Sequence, residues 1–176
     1  GGSLTTTTGG VNLYYNSVSM IGSMGSASTT ALTTALYVGS GASALDIRNN
    51  VLANTQVGTN ASQKNYAIYS AVANTAYSTI NYNDYFVSNT FNAGSAIPGY
   101  IGSDRLDLSA IQTGFGQNAN SITSNPLFNN PLSNLQPQTG SPLLLAGTPI
   151  GGITSDIVGV TRNVTTPTIG AYENAT

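Results

Sequence analysis

Three eight-residue stretches of this chain can be written beneath one another: VNLYYNSV (11–18), LDIRNNVL (45–52) and STINYNDY (78–85). Leu13, Ile47 and Ile80 then share one column, Asn16, Asn50 and Asn83 a second, and Val18, Leu52 and Tyr85 a third, at spacings of 34 and 33 residues. A further pair, ALYV (35–38) over AIYS (67–70), sets Leu36 against Ile68 and Tyr37 against Tyr69. Each period thus carries at least two short strands, joined by the turn-forming links GSGAS (39–43), GTNASQKN (58–65) and NAGSAIPG (92–99). Columns of like residues suit a coiled solenoid, in which each strand pairs in parallel with its counterpart one turn away. A β-sandwich, the rival arrangement, gives no reason for them.

Over residues 1–99 Thr, Ser, Asn, Gly and Tyr dominate and no 3.6-residue apolar period outlasts one turn, so no helix is expected there. Beyond residue 100 the texture changes. SDRLDLSAIQTG (103–114) offers Ser103 or Asp104 as an N-cap, Leu106, Leu108 and Ile111 as an apolar side and Gly114 as a stop, which predicts one short helix. The rest, rich in proline, reads as irregular wrapping. The organisation expected is one all-β domain: coils over 1–99, with the final coil or coils and an irregular cap over 100–176.

Charged residues make up 6 % of the chain, against roughly 25 % in an average soluble protein. Four bases, Arg48, Lys64, Arg105 and Arg162, face six acids. Nothing basic is clustered, which argues against a nucleic-acid partner. No apolar run approaches the ~20 residues of a membrane-spanning helix, so no membrane insertion is expected. The absence of cysteine and histidine removes thiolate nucleophiles, imidazole bases and the usual zinc ligands, and with them a Ser-His-Asp triad. A polar, charge-poor surface fits an extracellular setting.

The C-terminal third carries the most specific pattern. GQNANSITSNPLF (116–128), LQPQTGSPLLLAGTPI (135–150), SDIVGVTRN (155–163) and TIGAYEN (168–174), in this order, resemble the end of right-handed parallel β-helix domains in large secreted and surface proteins of Bacteroidetes-type bacteria. INYNDYFVSN (80–89) and VNLYYNSVSM (11–20) resemble strand motifs of the same proteins. The chain departs from that pattern where Asn118 replaces a usual Asp, Ile111 a usual aromatic, and Leu143, Leu144 and Leu145 a stretch that often holds an Asp. The resemblance implies a right-handed parallel β-helix with a C-terminal cap, a surface or secreted location, and membership of a longer chain. GGSLTTTTGGVNLYYN starts in mid-pattern and is expected to continue coils lying upstream.

Several residues could carry chemistry, and each also has a plainer role. Asp46 and Arg48 share the outward face of one strand; a polysaccharide lyase would need a cluster of acids around them, but their columns hold Asn12 and Thr79, Tyr14 and Asn81. An exposed ion pair is expected instead. A glycosidase would need two carboxylates about 5 to 9.5 Å apart; Asp104 and Asp107 are the nearest pair in sequence and read as charges at a helix N-terminus. Asp84 reads as a turn former.

Asp156, Arg162 and Glu173 are expected to brace the last wrap through ion pairs, with a bound cation as the lesser alternative. Asn16, Asn50 and Asn83 are expected to stack as an asparagine ladder, with Asn50 in the left-handed conformation of a tight turn. Tyr14, Tyr37, Tyr69 and Arg48 are the candidates for glycan contact, since outward aromatics on a flat face can stack on sugar rings. The run Thr5–Thr8 is too short for an ice-binding array. No catalytic residue, cofactor or metal ligand is expected. The functional expectation is a non-catalytic stalk or adhesin segment whose partners are surface glycans or neighbouring domains. The alternatives are a carbohydrate-binding module and a lyase- or glycosidase-like β-helix or its inactive remnant.

Overall fold

In the computed structural model, residues 2–4, 9–25, 28–88 and 95–174 are described; the Thr5–Thr8 run and residues 92–94 of the third link fall outside them. Among the described residues the fold is all-β apart from one short α-helix and a single 3-10 turn. The strands are β1 (Gly2–Leu4), β2 (Asn12–Tyr14), β3 (Ser17–Met20), β4 (Leu32–Val38), β5 (Leu45–Arg48), β6 (Val51–Asn54), β7 (Lys64–Ser70), β8 (Tyr77–Asn81), β9 (Ser95–Ile101) and β10 (Ser103–Arg105). Helix α1 (Leu108–Phe115) and the hairpin strands β11 (Phe128–Asn130) and β12 (Asn134–Pro137) follow.

Pairing follows the sequence columns. One sheet has the order β1-β4-β7-β9-β10, parallel except for β10, and a second has the order β2-β5-β8, parallel throughout. A third parallel pair, β3-β6, is extended by bridges from Val51 to Asp84 and from Asp84 to Ile122. Leu13, Ile47 and Ile80 are direct partners, as are Leu36 and Ile68, Tyr37 and Tyr69, and Val18 and Leu52. The first two periods hold three strands each, and the third holds β7 and β8 with isolated bridges at Asp84 and Val87 in place of a third strand.

The core lies between these ladders. Leu36, Leu45, Ile47, Leu52, Ile68, Ile80 and Tyr85 are essentially solvent-free, and each large aliphatic side chain buried there contributes roughly 1.5–3 kcal/mol. A second, smaller core forms outside the third ladder: Val51 and Ala53 point away from the first core and pack under Phe128, Leu143 and Ile169. The proline-rich C-terminal region is therefore a strap along one flank.

Several local expectations are corrected. Asp107, not Ser103 or Asp104, caps α1, accepting the Ala110 N–H at 2.8 Å, because Ser103–Arg105 turn back antiparallel on β9 and close that sheet. Asp104 and Asp107 therefore do not share a helix. The helix ends at Gly116 in the left-handed region, φ 68°. Gly114 lies inside it as a close-approach position, where a Cβ would sit 2.7 Å from Ile101 Cγ2. Ser95–Pro98, expected in a link, belong to β9, and Lys64 and Asn65 to β7. The left-handed corner residues are Tyr15, Asn49 and Tyr82, each immediately before a ladder asparagine, and not Asn50.

Candidate functional site

Tyr37, Tyr69 and Tyr100 form a file across β4, β7 and β9. Tyr37 and Tyr69 stack with centroids 5.7 Å apart and planes 22° off parallel; Tyr69 and Tyr100 stack at 4.3 Å and 3°. Tyr66 meets Tyr69 and Tyr100 edge-on at 5.4 and 6.2 Å. Strand alternation would send Tyr66 inward with Ile68, but Asn65 turns in towards Asn54 instead. The Tyr66 hydroxyl donates to Asp104 Oδ1 at 2.8 Å, and Lys64 meets Asp104 Oδ2 at 2.6 Å. Burial, then the Asp104 carboxylate, pushes the Tyr66 phenol well above its ordinary range. Beside Tyr69 and Tyr100 an open depression of ≈ 480 Å³ is lined by Ala71, Val72, Ala73 and Gly102. The inner ring faces of the file are spent on one another, which leaves ring edges for a ligand.

Tyr14, Asp46 and Arg48 close on themselves in the next ladder. Arg48 Nε and Nη2 donate to the two Asp46 oxygens at 2.7 and 2.6 Å, the Tyr14 hydroxyl donates to Asp46 Oδ2 at 2.7 Å, and the guanidinium lies 5.2 Å from the Tyr14 ring centre. The pair is half-buried, with side-chain exposures of 26 % and 18 %, rather than exposed. Burial alone would raise the Asp46 carboxyl, but hydrogen bonds from Arg48 and Tyr14 hold it below the usual carboxylate range.

The asparagine ladder is continuous. Asn16 gives its backbone N–H and Nδ2 to Asn50 Oδ1 at 3.0 and 2.9 Å, and Asn50 gives the same two donors to Asn83 Oδ1 at 3.0 Å each. A different set closes it below: Ser121 Oγ accepts the Asn83 N–H, and Asn118 Oδ1 accepts the Ser121 and Tyr85 hydroxyls. Asn118 sits at φ 69° with its Nδ2 buried and unpartnered.

At the strap's end Arg162 is buried. Its guanidinium carbon lies 3.7 Å from the centre of the Tyr15 ring, Nη1 meets Glu173 at 3.3 Å, and the remaining Nη protons reach the carbonyls of Thr168, Gly170 and Ala171. Asp156 is not bonded to Arg162; its carboxylate accepts the N–H groups of Val158, Val160 and Glu173. Burial would raise the Asp156 carboxyl, but those three donors hold it down. Asp84, expected in a turn, is fully buried beneath the strap; Oδ1 accepts the Ser124 N–H at 3.0 Å and Oδ2 has no partner. Burial pushes its carboxyl well above the ordinary range, only partly opposed by Ser124.

Tyr15, Tyr66, Tyr100 and Thr148 are missing from the expected set. Tyr100 follows Tyr69 by 31 residues, a shorter turn than the others, so its column is out of step. Among the described residues no group of three or more acid, histidine or cysteine side chains is gathered to hold a metal ion, and no helix is long and apolar enough to cross a membrane. Comparison with protein-family models, curated proteins and solved structures returns no match.

Proposed function

We propose that the chain is a stack of right-handed parallel β-helical coils serving as a non-catalytic stalk or adhesin segment of a bacterial extracellular or cell-surface protein. The coil reading is supported by three parallel ladders whose partners lie one period apart in sequence, and the hand by the strong preference of parallel crossovers. Location and lineage rest on the motif resemblance at 116–174.

The observation that carries the non-catalytic reading is that all ten charged side chains, four basic and six acidic, are engaged inside the molecule. Arg48 holds Asp46, Lys64 holds Asp104, and Arg162 holds Glu173. Arg105 binds the Ile101 carbonyl, Asp107 caps the helix, Asp156 gathers backbone donors, and Asp84 lies under the strap. General acid–base work needs a titratable group within reach of substrate, and each of these side chains already holds a partner within the fold.

A glycan-binding module is the second reading, favoured by the exposed edges of the tyrosine file and the depression beside Tyr69 and Tyr100. A glycan-array screen of the purified domain separates the two. The stalk reading expects no saturable binding; saturable binding abolished by Tyr69→Ala would replace it with the second.

A further inference from the structure

The two ends of the ladders are chemically different. At the C-terminal end β10 folds back on β9, α1 packs over the core, and Ser121 with Asn118 stops the asparagine ladder. At the other end β1, β2 and β3 are each the outermost strand of their ladder. There Leu13, Val18 and Asn16 are only partly buried, whereas Ile47, Leu52 and Asn50 in the same columns are solvent-free.

The ladder has a direction. In both steps the upper rung donates a backbone N–H and an Nδ2 proton to the Oδ1 of the rung below. Asn16 donates in this way and has no donor of its own: its Oδ1 lacks a hydrogen-bond partner among the described residues. A solvent-open acceptor with no protein donor, framed by exposed strand edge and partly buried apolar side chains, is a preorganised seat for one kind of structure.

We infer that the β1–β2–β3 end is a docking face for a further parallel coil of the same construction, strand, left-handed residue, asparagine, strand, whose asparagine donates to Asn16 Oδ1. The coil-on-coil contact already made twice within the molecule is its template. A second copy of the chain does not fit. Its C-terminal end is closed, and two β1–β3 ends brought together would run antiparallel and set one Asn16 Oδ1 against the other.

This inference rests on the β-helical reading above, and the experiment separates the two. A copy of residues 32–67 is placed directly ahead of Gly2, which then takes the register position of Ile68, since both pair with Leu36. Docking slows amide exchange across Asn12–Tyr14 and Ser17–Met20 by about tenfold or more, as expected when edge strands become interior ones. Changing the ladder asparagine of the added copy to alanine abolishes most of that protection.

Unchanged exchange at β2 and β3 while β4–β9 stay protected overturns the inference alone. Lack of register-matched protection across β4–β9 in the unmodified chain overturns the coil reading itself. Sedimentation of the unmodified chain as a dimer, cross-linked through β2 or β3, would show that the face takes a second copy and would also overturn the inference.

Discussion

Asn49 and Thr148 stand 99 residues apart and are joined by two hydrogen bonds, Asn49 Nδ2 to the Thr148 carbonyl at 2.8 Å and the Thr148 N–H to Asn49 Oδ1 at 2.9 Å. The Tyr15 hydroxyl reaches the same carbonyl at 2.8 Å. Asn49 is at φ 59°, and this left-handed corner turns its side chain outward to the strap, while Asn50 turns inward to the ladder. Neighbouring asparagines thus fasten different parts of the molecule.

Asn49→Ala should cost about 3–4 kcal/mol, from two hydrogen bonds at about 1 kcal/mol each and a left-handed alanine at about 1–2 kcal/mol. Asn49→Gly keeps the corner unstrained and should cost about half as much. Urea unfolding of both variants, with amide exchange at Thr148, checks this. Equal losses for alanine and glycine would mean that the corner conformation contributes nothing.

Asn50→Ala strips the Asn16 N–H and Nδ2 of their acceptor and takes one of two donors from the solvent-free Asn83 Oδ1, which keeps only the residue-50 backbone N–H. The expected loss is about 1–3 kcal/mol, the usual penalty for stranded buried polar groups. Asn50→Asp should be worse at neutral pH, because it turns an oxygen towards the Leu13 and Arg48 carbonyls, where Nδ2 now donates. A change in stability under about 0.5 kcal/mol for Asn50→Ala would deny the ladder any structural role.

Much of the strand pairing was legible because strands stacked in a parallel ladder repeat their demands. Ile47 and Ile80 meet the same neighbours one turn apart, so the same residue type recurs at nearly constant spacing. What does not repeat left no such trace. The strap touches the ladders at Asn49, Ser17 and Val51 through residues more than seventy positions later, and nothing in its local sequence names those partners. The helix start was misplaced because Ser103 and Asp104 are good caps in isolation, while the open edge of β9 recruits them as a strand. For the candidate site, Tyr37 and Tyr69 could be aligned, but Asp84 could not be seen to be buried, because the chain that buries it lies elsewhere.

Arg162 ties the strap to the corner between β2 and β3 through Tyr15 and to the segment after Thr168 through Glu173. Removing one partner of a buried ion pair strands the other, so Arg162→Ala should cost about 3–5 kcal/mol. Arg162→Lys should fall between, since a point charge cannot serve several carbonyls and an aromatic face at once. The strap should then unfold before the parallel ladders, and differential scanning calorimetry should show two transitions in place of one. A single, unshifted transition for Arg162→Ala would exclude the brace.

Asp84 should make the protein less tolerant of rising pH. Its folded carboxyl holds a proton more tightly than the unfolded one. Below the unfolded value of about 3.9 both states are protonated and the group is neutral in its effect. As the pH climbs past that value the unfolded chain ionises first, so folding stability falls until the folded carboxyl also ionises. Asp46 and Asp156, held below the ordinary range, act in the opposite sense and lose their contribution as the pH drops. Asp84→Asn isolates the first effect, because the variant keeps the other two carboxylates and the oxygen that accepts from Ser124. Urea midpoints of both proteins between pH 4 and 8 should diverge in favour of the asparagine variant as the pH rises. A gap that stays constant across the range would mean that Asp84 titrates like an ordinary carboxylate, and that the strap does not seal it from water.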